Sequence, residues 1–453
     1  MKTALKTIAL AAAIAAGAIV SQASLAQAQA PRAGVVTEQR QIGAFSAVEL
    51  SGHYNVVIHA QGKTALQVSG ERKQLDEMEI FVRGDTLVVR PRSRPGFHFS
   101  WGKQNEEVNV TVSTAALRSL AMAGSGDVEV DQLNGDKVQL SVDGPGDLHA
   151  SGAVRDLVVK TNGSGDADLH QLSASNLNLS MNGPGDVRIS GVGNEMSASL
   201  TGSGDLTADN LHLARLVAQV SGPGSATLSG SARELRADIT GSGDVDACGL
   251  AVQTVRTVQG GPGNACVSGT ITQFDAEVHG SGDLTVRGLQ AQVARLRMTG
   301  PGNVILTGTA TELNADMSGS GDLHGDGLKV AKAMVHSRGP GEASLAGVSD
   351  TLDAELRGSG SLKAAINGKR LLLNISGPGD AIVSGTVDTV SAQVTGSGSL
   401  QGRHLVANRT DINVRGPGSA AVHLSRQGAQ QMAERQGGGL LLVERDGTRH
   451  MQD

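Results

Sequence analysis

A glycine-bracketed triplet, Gly-Ser-Gly or Gly-Pro-Gly, starts at positions 124, 144, 163, 183, 202, 222, 241, 261, 280, 300, 319, 339, 358, 377, 396 and 416. The sixteen copies alternate Ser and Pro without exception, at steps of 20 or 19 residues. A fixed period of this size marks an array in which each unit buries its apolar face only against its neighbours. The duplicated unit is a pair of turns totalling about 39 residues, whereas the structurally equivalent unit is the single turn.

Within a turn the apolar positions have strand spacing. After Gly300, Val304 and Leu306 alternate with Ile305, Gly308 leads into a bend, and Leu313, Ala315 and Met317 alternate with Asn314 and Asp316. The turns opening at Gly222 and Gly377 repeat this with Ala226, Leu228, Leu235, Ala237 and Ile239, and with Ala381, Val383, Val390, Ala392 and Val394. Period two in two runs predicts two strands per turn, each needing a neighbour above and below. The expected fold is therefore all-β: a right-handed parallel β-helix, or β-solenoid, of about sixteen rungs, roughly 75 Å long at about 4.8 Å per rung. The triplets would supply positive φ at a sharp corner, and Pro at alternate corners would lower the entropy of the unfolded chain. The rival is an eight-bladed propeller of 39-residue blades. Against it, the two halves of each unit repeat one apolar template.

Composition agrees with a thin core. The chain of 453 residues holds 62 Gly but only one Trp, one Tyr and five Phe, so Ala, Val and Leu must fill the interior, yet it is too weakly charged for disorder. A formal charge of −6 without a basic face argues against nucleic acid. Residues 1–28 read as a Sec-type signal peptide: Lys2 and Lys6 precede an apolar run from Ile8 to Val20, and Ala26-Gln27-Ala28 is the preferred cleavage site. An uncleaved anchor is the alternative, although the run is short for a spanning helix. No Cys near the cleavage site supports a lipoprotein, and no later stretch reads as a transmembrane segment. A periplasmic or extracellular location follows. Residues 29–120 read as an N-terminal all-β cap, 121–424 as the repeat array, and 425–453 as a C-terminal cap with a short helix and a final strand, Leu440–Val443.

The segments Gly43-Ala-Phe-Ser-Ala-Val-Glu-Leu-Ser-Gly-His-Tyr-Asn-Val-Val-Ile58, Gly84-Asp-Thr-Leu-Val-Val89 and Leu120-Ala-Met-Ala-Gly-Ser-Gly-Asp-Val128 resemble the putative auto-transporter adhesin, head GIN domain family. The resemblance extends over most of the mature chain and implies an exported, β-helical, adhesin-like protein without catalytic residues to carry over. The rung array is unusually long for it, and no barrel accounts for the auto-transporter part of the name.

Chemistry in a solenoid resides in columns. The residue after the triplet is Asp127, Asp147, Asp166, Asp186 and Asp205 on five successive rungs, then mostly Asp, Asn or Ser. Such side chains accept turn N–H groups. Alternatively, carboxylates stacked about 4.8 Å apart would be neutralised by a cation such as Ca2+. A second cluster, Arg90, Arg92, Arg94, Phe97, His98, Phe99, Trp101 and Lys103, holds the only Trp. It suits either a plug over the solenoid end or a loop binding an acidic glycan or an envelope protein. No other cofactor is called for.

Cys248 and Cys266 lie seven and five residues into adjacent turns. On straight strands their Cα atoms would be about 8 Å apart, beyond disulfide reach, unless the chain bends at Gly249. Further on, Glu277, Arg297, Asp316, His336 and Glu355 would stack as an outward charge ladder. The functional expectation is an exported, non-catalytic binding or scaffold protein of the cell envelope. The alternative is a carbohydrate-active β-helix enzyme, which would need one carboxylate pair set apart from the repeats.

Small-angle scattering of the mature protein should give an elongated particle with a longest dimension of at least about 75 Å. A disc-like profile would restore the propeller.

Overall fold

The computed structural model describes residues 34–92 and 108–426. The chain begins with β1 (Val35–Gln39), β2 (Ala47–Leu50), β3 (Tyr54–His59), β4 (Ala65–Glu71), helix α1 (Arg72–Asp76), β5 (Met78–Arg83), β6 (Thr86–Pro91), β7 (Val108–Ser113) and β8 (Ser119–Met122). The array starts at β9 (Val128–Val142) and continues with β10 (Leu148–Thr161). From there each turn pairs in parallel with the turns before and after it, as far as Ser399–Arg415 and Ser419–Leu424. The result is a β-solenoid of about 15 turns, and the sixteenth triplet opens a turn of which Ser419–Leu424 is the described strand. Parallel stacking along the whole array excludes the propeller, whose blades are antiparallel.

The cap is continuous with the rod. β3 pairs in parallel with β9, and β2 with β8, so Gly52-His53-Tyr54 occupies the place of a triplet one level above the first. Antiparallel β1–β4, β4–β7 and β5–β6 pairings complete this end, turning the stacking edge away from a bare parallel ladder.

Each turn has three sides rather than the two that the apolar spacing suggests. In the strand Leu206–Val220 the buried residues are Leu206 and Ala208, then Leu211 and Leu213, then Leu216, Ala218 and Val220. Alternation breaks at Asp209–Asn210 and again at Ala214–Arg215, where the chain rounds corners. The middle side escapes a search for period two because every second turn nearly lacks it. Gly308 there is in register with Leu289 of the preceding turn and Leu328 of the next, leaving Ala310 as the buried side chain.

The alternating lengths have the same origin. Ala150 pairs with Val130 and Gly152 with Leu133, so Asp131 and Gln132 together oppose Ser151. That is a β-bulge, and it adds the twentieth residue to every Gly-Ser-Gly turn except the one opening at Gly358, which runs 19 residues in unbroken register with the turn after it. Gln132 and Asn210, at φ 58° and 51°, occupy this corner.

The triplet glycines are required for a different reason from the one their corner position suggests. Among them only Gly377, Gly396 and Gly416 have left-handed φ. Most are needed because the turns approach too closely for a side chain: a Cβ on Gly224 would lie 2.1 Å from the Gly204 carbonyl oxygen. Positive φ belongs instead to the second corner of Gly-Pro-Gly turns, as at Gly152 with φ 137°.

The charge ladder forms in register, Glu277 to Arg297 to Asp316 to His336 to Glu355. Its carboxylates pair off the column, with His279, Arg338 and Arg357 respectively, so the column aligns charges without joining them directly. At the far end Ile412, Ala420 and Val422 are only partly buried against the core. The expected C-terminal cap lies outside the described residues beyond Arg426, as do the signal peptide and its cleavage site.

Gly224→Ala should destabilise the rod by more than about 3 kcal/mol, because backbone must separate from backbone. Gly135→Ala, whose Cβ would meet nothing closer than Val138 Cγ2 at 3.5 Å, should change stability by less than about 0.5 kcal/mol. Equal melting shifts for the two would contradict the stacking account.

Candidate functional site

The acidic column is a hydrogen-bond ladder. Oδ1 of Asp127 accepts the backbone N–H of Asp147 at 3.0 Å, Asp147 that of Asp166 at 2.9 Å, and Asp166 and Asp186 those of Asp186 and Asp205 at 2.8 Å each. The series begins in the cap, with Asn55 accepting from Asp127. It continues through Ser225, Asn264 and Asn303 and recurs where Asp380 accepts from Ser399. Any short side chain with an oxygen acceptor serves, which accounts for the mixture of Asp, Asn and Ser. Among the described residues the five carboxylates form no three-ligand group. The one such set of His, Cys and acidic side chains is Asp246, Cys248 and Cys266.

The basic-aromatic cluster is described only in part. Arg90 Nε bonds Glu79 at 3.0 Å, and its guanidinium lies 5.2 Å from the centroid of the Phe81 ring. Arg92 approaches the same carboxylate at 3.7 Å. Both therefore brace the β5–β6 hairpin. Arg94, Phe97, His98, Phe99, Trp101 and Lys103 lie outside the described residues.

Where the cap meets the array, an open cleft of about 440 Å³ is lined by β3 and the first three turns. Register places Val57, Glu129, His149 and Asp168 one above another. Alongside them, His59 approaches Asp131 at 3.4 Å and His170 Nδ1 lies 2.5 Å from Asp168 Oδ1. The backbone N–H of His170 also donates to that oxygen, at 3.2 Å. Burial pushes the Asp168 carboxyl up, but the two bonds from His170 and the nearby imidazoles outweigh it and hold the group below the usual carboxylate range. Two imidazoles, His149 and His170, and four carboxylates, Asp127, Glu129, Asp131 and Asp168, line one concavity and offer donors and acceptors suited to a hydroxyl-rich or charged ligand. Scanning for motifs misses this cluster because His59, His149 and His170 are far apart in sequence. Counting offsets from the triplet would have found most of it, since Glu129, His149 and Asp168 all stand five residues in.

Cys248 and Cys266 are paired, with Cα atoms 5.2 Å apart. The straight-strand estimate fails because Cys248 occupies the bulge of a Gly-Ser-Gly turn. Register jumps there from Ala247–Val267 to Ala251–Ser268, and the slack draws Cys248 level with its partner. Asp246 Oδ1 takes the Cys248 N–H at 3.0 Å and the Ser268 hydroxyl donates to the Cys248 carbonyl at 2.7 Å, fixing the corner.

A family model described as putative auto-transporter adhesin, head GIN domain, matches residues 44–228, 194–288, 268–365 and 349–430. No curated protein matches the sequence. Similar solved structures include a putative adhesin from Parabacteroides distasonis at 16% identity, covering 68% of this chain and 96% of its own, with a TM-score of 0.32. Others are a putative adhesin from Bacteroides fragilis (12%, 86% and 97%, 0.21) and a putative lipid binding protein from P. distasonis (15%, 87% and 98%, 0.23).

Asp166→Ala should cost about 1 kcal/mol through the lost acceptor, and Asp166→Asn markedly less. The melting temperature of the unsubstituted protein should be the same in EDTA as in millimolar Ca2+. A calcium-dependent rise that Asp166→Asn abolishes would instead make the ladder a cation site.

Proposed function

We propose, since this chain belongs to the putative auto-transporter adhesin, head GIN domain family, that it is an exported, non-catalytic binding protein of the cell envelope. Its rod serves as a scaffold and its cap end receives the ligand. The observation that carries this reading is the cleft at the junction of cap and array, where Asp127, Glu129, Asp131, His149, Asp168 and His170 gather beside a wall of otherwise repetitive turns. The basic-aromatic residues from Arg94 to Lys103 follow β6 in the sequence and have the ring faces and positive charge that a glycan or an acidic envelope protein would engage. Among the described residues no helix is long and apolar enough to cross a membrane.

A glycan-cleaving role is less well supported. A general acid needs a carboxyl whose pKa is raised toward neutrality, whereas His170 holds Asp168 in the opposite direction.

A screen of the mature protein against a glycan array and envelope fractions should yield a binding partner. Replacing Phe99 and Trp101 together by Ala should then weaken binding at least tenfold with little change in melting temperature, and so should His149→Ala combined with Asp168→Ala. Wild-type binding by both double variants would remove the ligand site from the cap end, and turnover of a bound polysaccharide would make the protein an enzyme.

A further inference from the structure

The corner holding the cysteine pair has the composition of a metal site in one redox state. A carboxylate oxygen of Asp246 and both sulfurs lie within 4.8 Å of one another. The cysteine side is held by backbone register and by the Ser268 bond, and the carboxylate by the Cys248 N–H. That last bond leaves Asp246 its second oxygen. Beside the pair an open groove of about 370 Å³ runs between Asp244, Asp246, Cys266, Asp283 and Thr285, so solvent and ions reach the corner directly. The flanking residues in the same column, Thr227 and Thr285, are small.

We propose that this corner is a redox-gated site for a thiophilic divalent cation of the Zn2+ class, with Cys248, Cys266 and Asp246 as its protein ligands. In the oxidised protein the sulfurs are joined to each other and cannot ligate. An external dithiol transfers two electrons and two protons to the pair, giving two thiols while the dithiol becomes a disulfide. Binding of the cation then releases the two thiol protons. Two thiolates on one Zn2+ at bonds of about 2.3 Å stand about 3.8 Å apart, which side-chain rotation provides at a Cα separation of 5.2 Å. Two sulfurs and a carboxylate oxygen make three of the four tetrahedral positions that Zn2+ favours, and soft thiolates select it over Mg2+ or Ca2+. The fourth position faces the groove and takes water or an exogenous donor. In either state the seventh and eighth turns remain cross-linked, by a disulfide or through the metal.

The test uses the mature full-length protein. It is reduced with a phosphine under argon, freed of reductant, and titrated with Cd2+ while the ultraviolet thiolate-to-cadmium absorption is followed, then with Zn2+ in competition. One equivalent should bind to the reduced protein and produce that absorption, and the oxidised protein should produce none. Cys266→Ser should abolish the band, and Asp246→Asn should weaken binding at least tenfold while leaving two titratable thiols. Circular dichroism on each sample reports the fold. A disulfide that cannot be reduced without unfolding the rod would overturn the proposal, as would a reduced protein without stoichiometric binding, or Asp246→Asn with wild-type affinity. Retention by the cysteine variant would place the cation elsewhere on the acidic surface and overturn it equally.

Discussion

The spacing between stacked turns governs everything else in this molecule. Parallel strands hydrogen-bond at about 4.8 Å, and at the triplet corners even that spacing leaves no room for a side chain: the Gly204 carbonyl oxygen occupies the place of a Cβ on Gly224. Glycine at most triplet ends is therefore a packing requirement, repeated from level to level because each turn meets the same constraint from its neighbour, whereas Gly377 and Gly396 answer to their left-handed φ. The exception clarifies the rule. Tyr54 stands in the cap where the turn beneath it has Gly126, and its buried ring packs beside Gly52 and Pro91.

The remaining columns follow from that spacing. Interior positions align apolar side chains into a core about two residues wide on each side, which Ala, Val, Leu and a few Met can fill without aromatic residues. The position after the triplet aligns short acceptors beneath backbone donors, so Asp127 and its successors convert like charges in a row into a ladder of bonds to N–H groups. A polar interior residue is tolerated at a cost. Gln259 is fully buried, donates to the Gly263 and Asp283 carbonyls, and leaves its own Oε1 without a partner among the described residues.

Much of this is readable from the chain. The triplet period defines the turn, the alternation in each run defines the inward face, and equal offsets placed Glu277, Arg297, Asp316, His336 and Glu355 in one column as found. What escapes is whatever depends on a residue in excess of the template. The middle side of the turn is hidden where Gly308 replaces a leucine, and the bulge at Asp131–Gln132 is invisible to offset counting because both residues simply look exposed. The same bulge made the Cys248–Cys266 distance come out too long. The junction cleft was missed for another reason: β3 reaches the array from a segment some seventy residues upstream, and no local pattern reports that approach.

The bulged corner also explains why chemistry collects where it does. Its outward residues, five and seven positions after a Gly-Ser-Gly triplet, carry neither a core contact nor a place in the acceptor ladder, so substitution there leaves the stack intact. The extra residue turns the seventh position back toward the fifth, and a carboxylate at the fifth captures its N–H, as Asp168 does for His170 and Asp246 for Cys248. Two side chains with reactive atoms are thereby held together by one backbone bond, next to a third supplied by the adjoining turn: His149 in one case, Cys266 in the other. The imidazole–carboxylate cleft and the cysteine corner are thus one device at two heights of the rod, four turns or about 19 Å apart. A solenoid whose interior must repeat can vary its function at this corner without disturbing its fold.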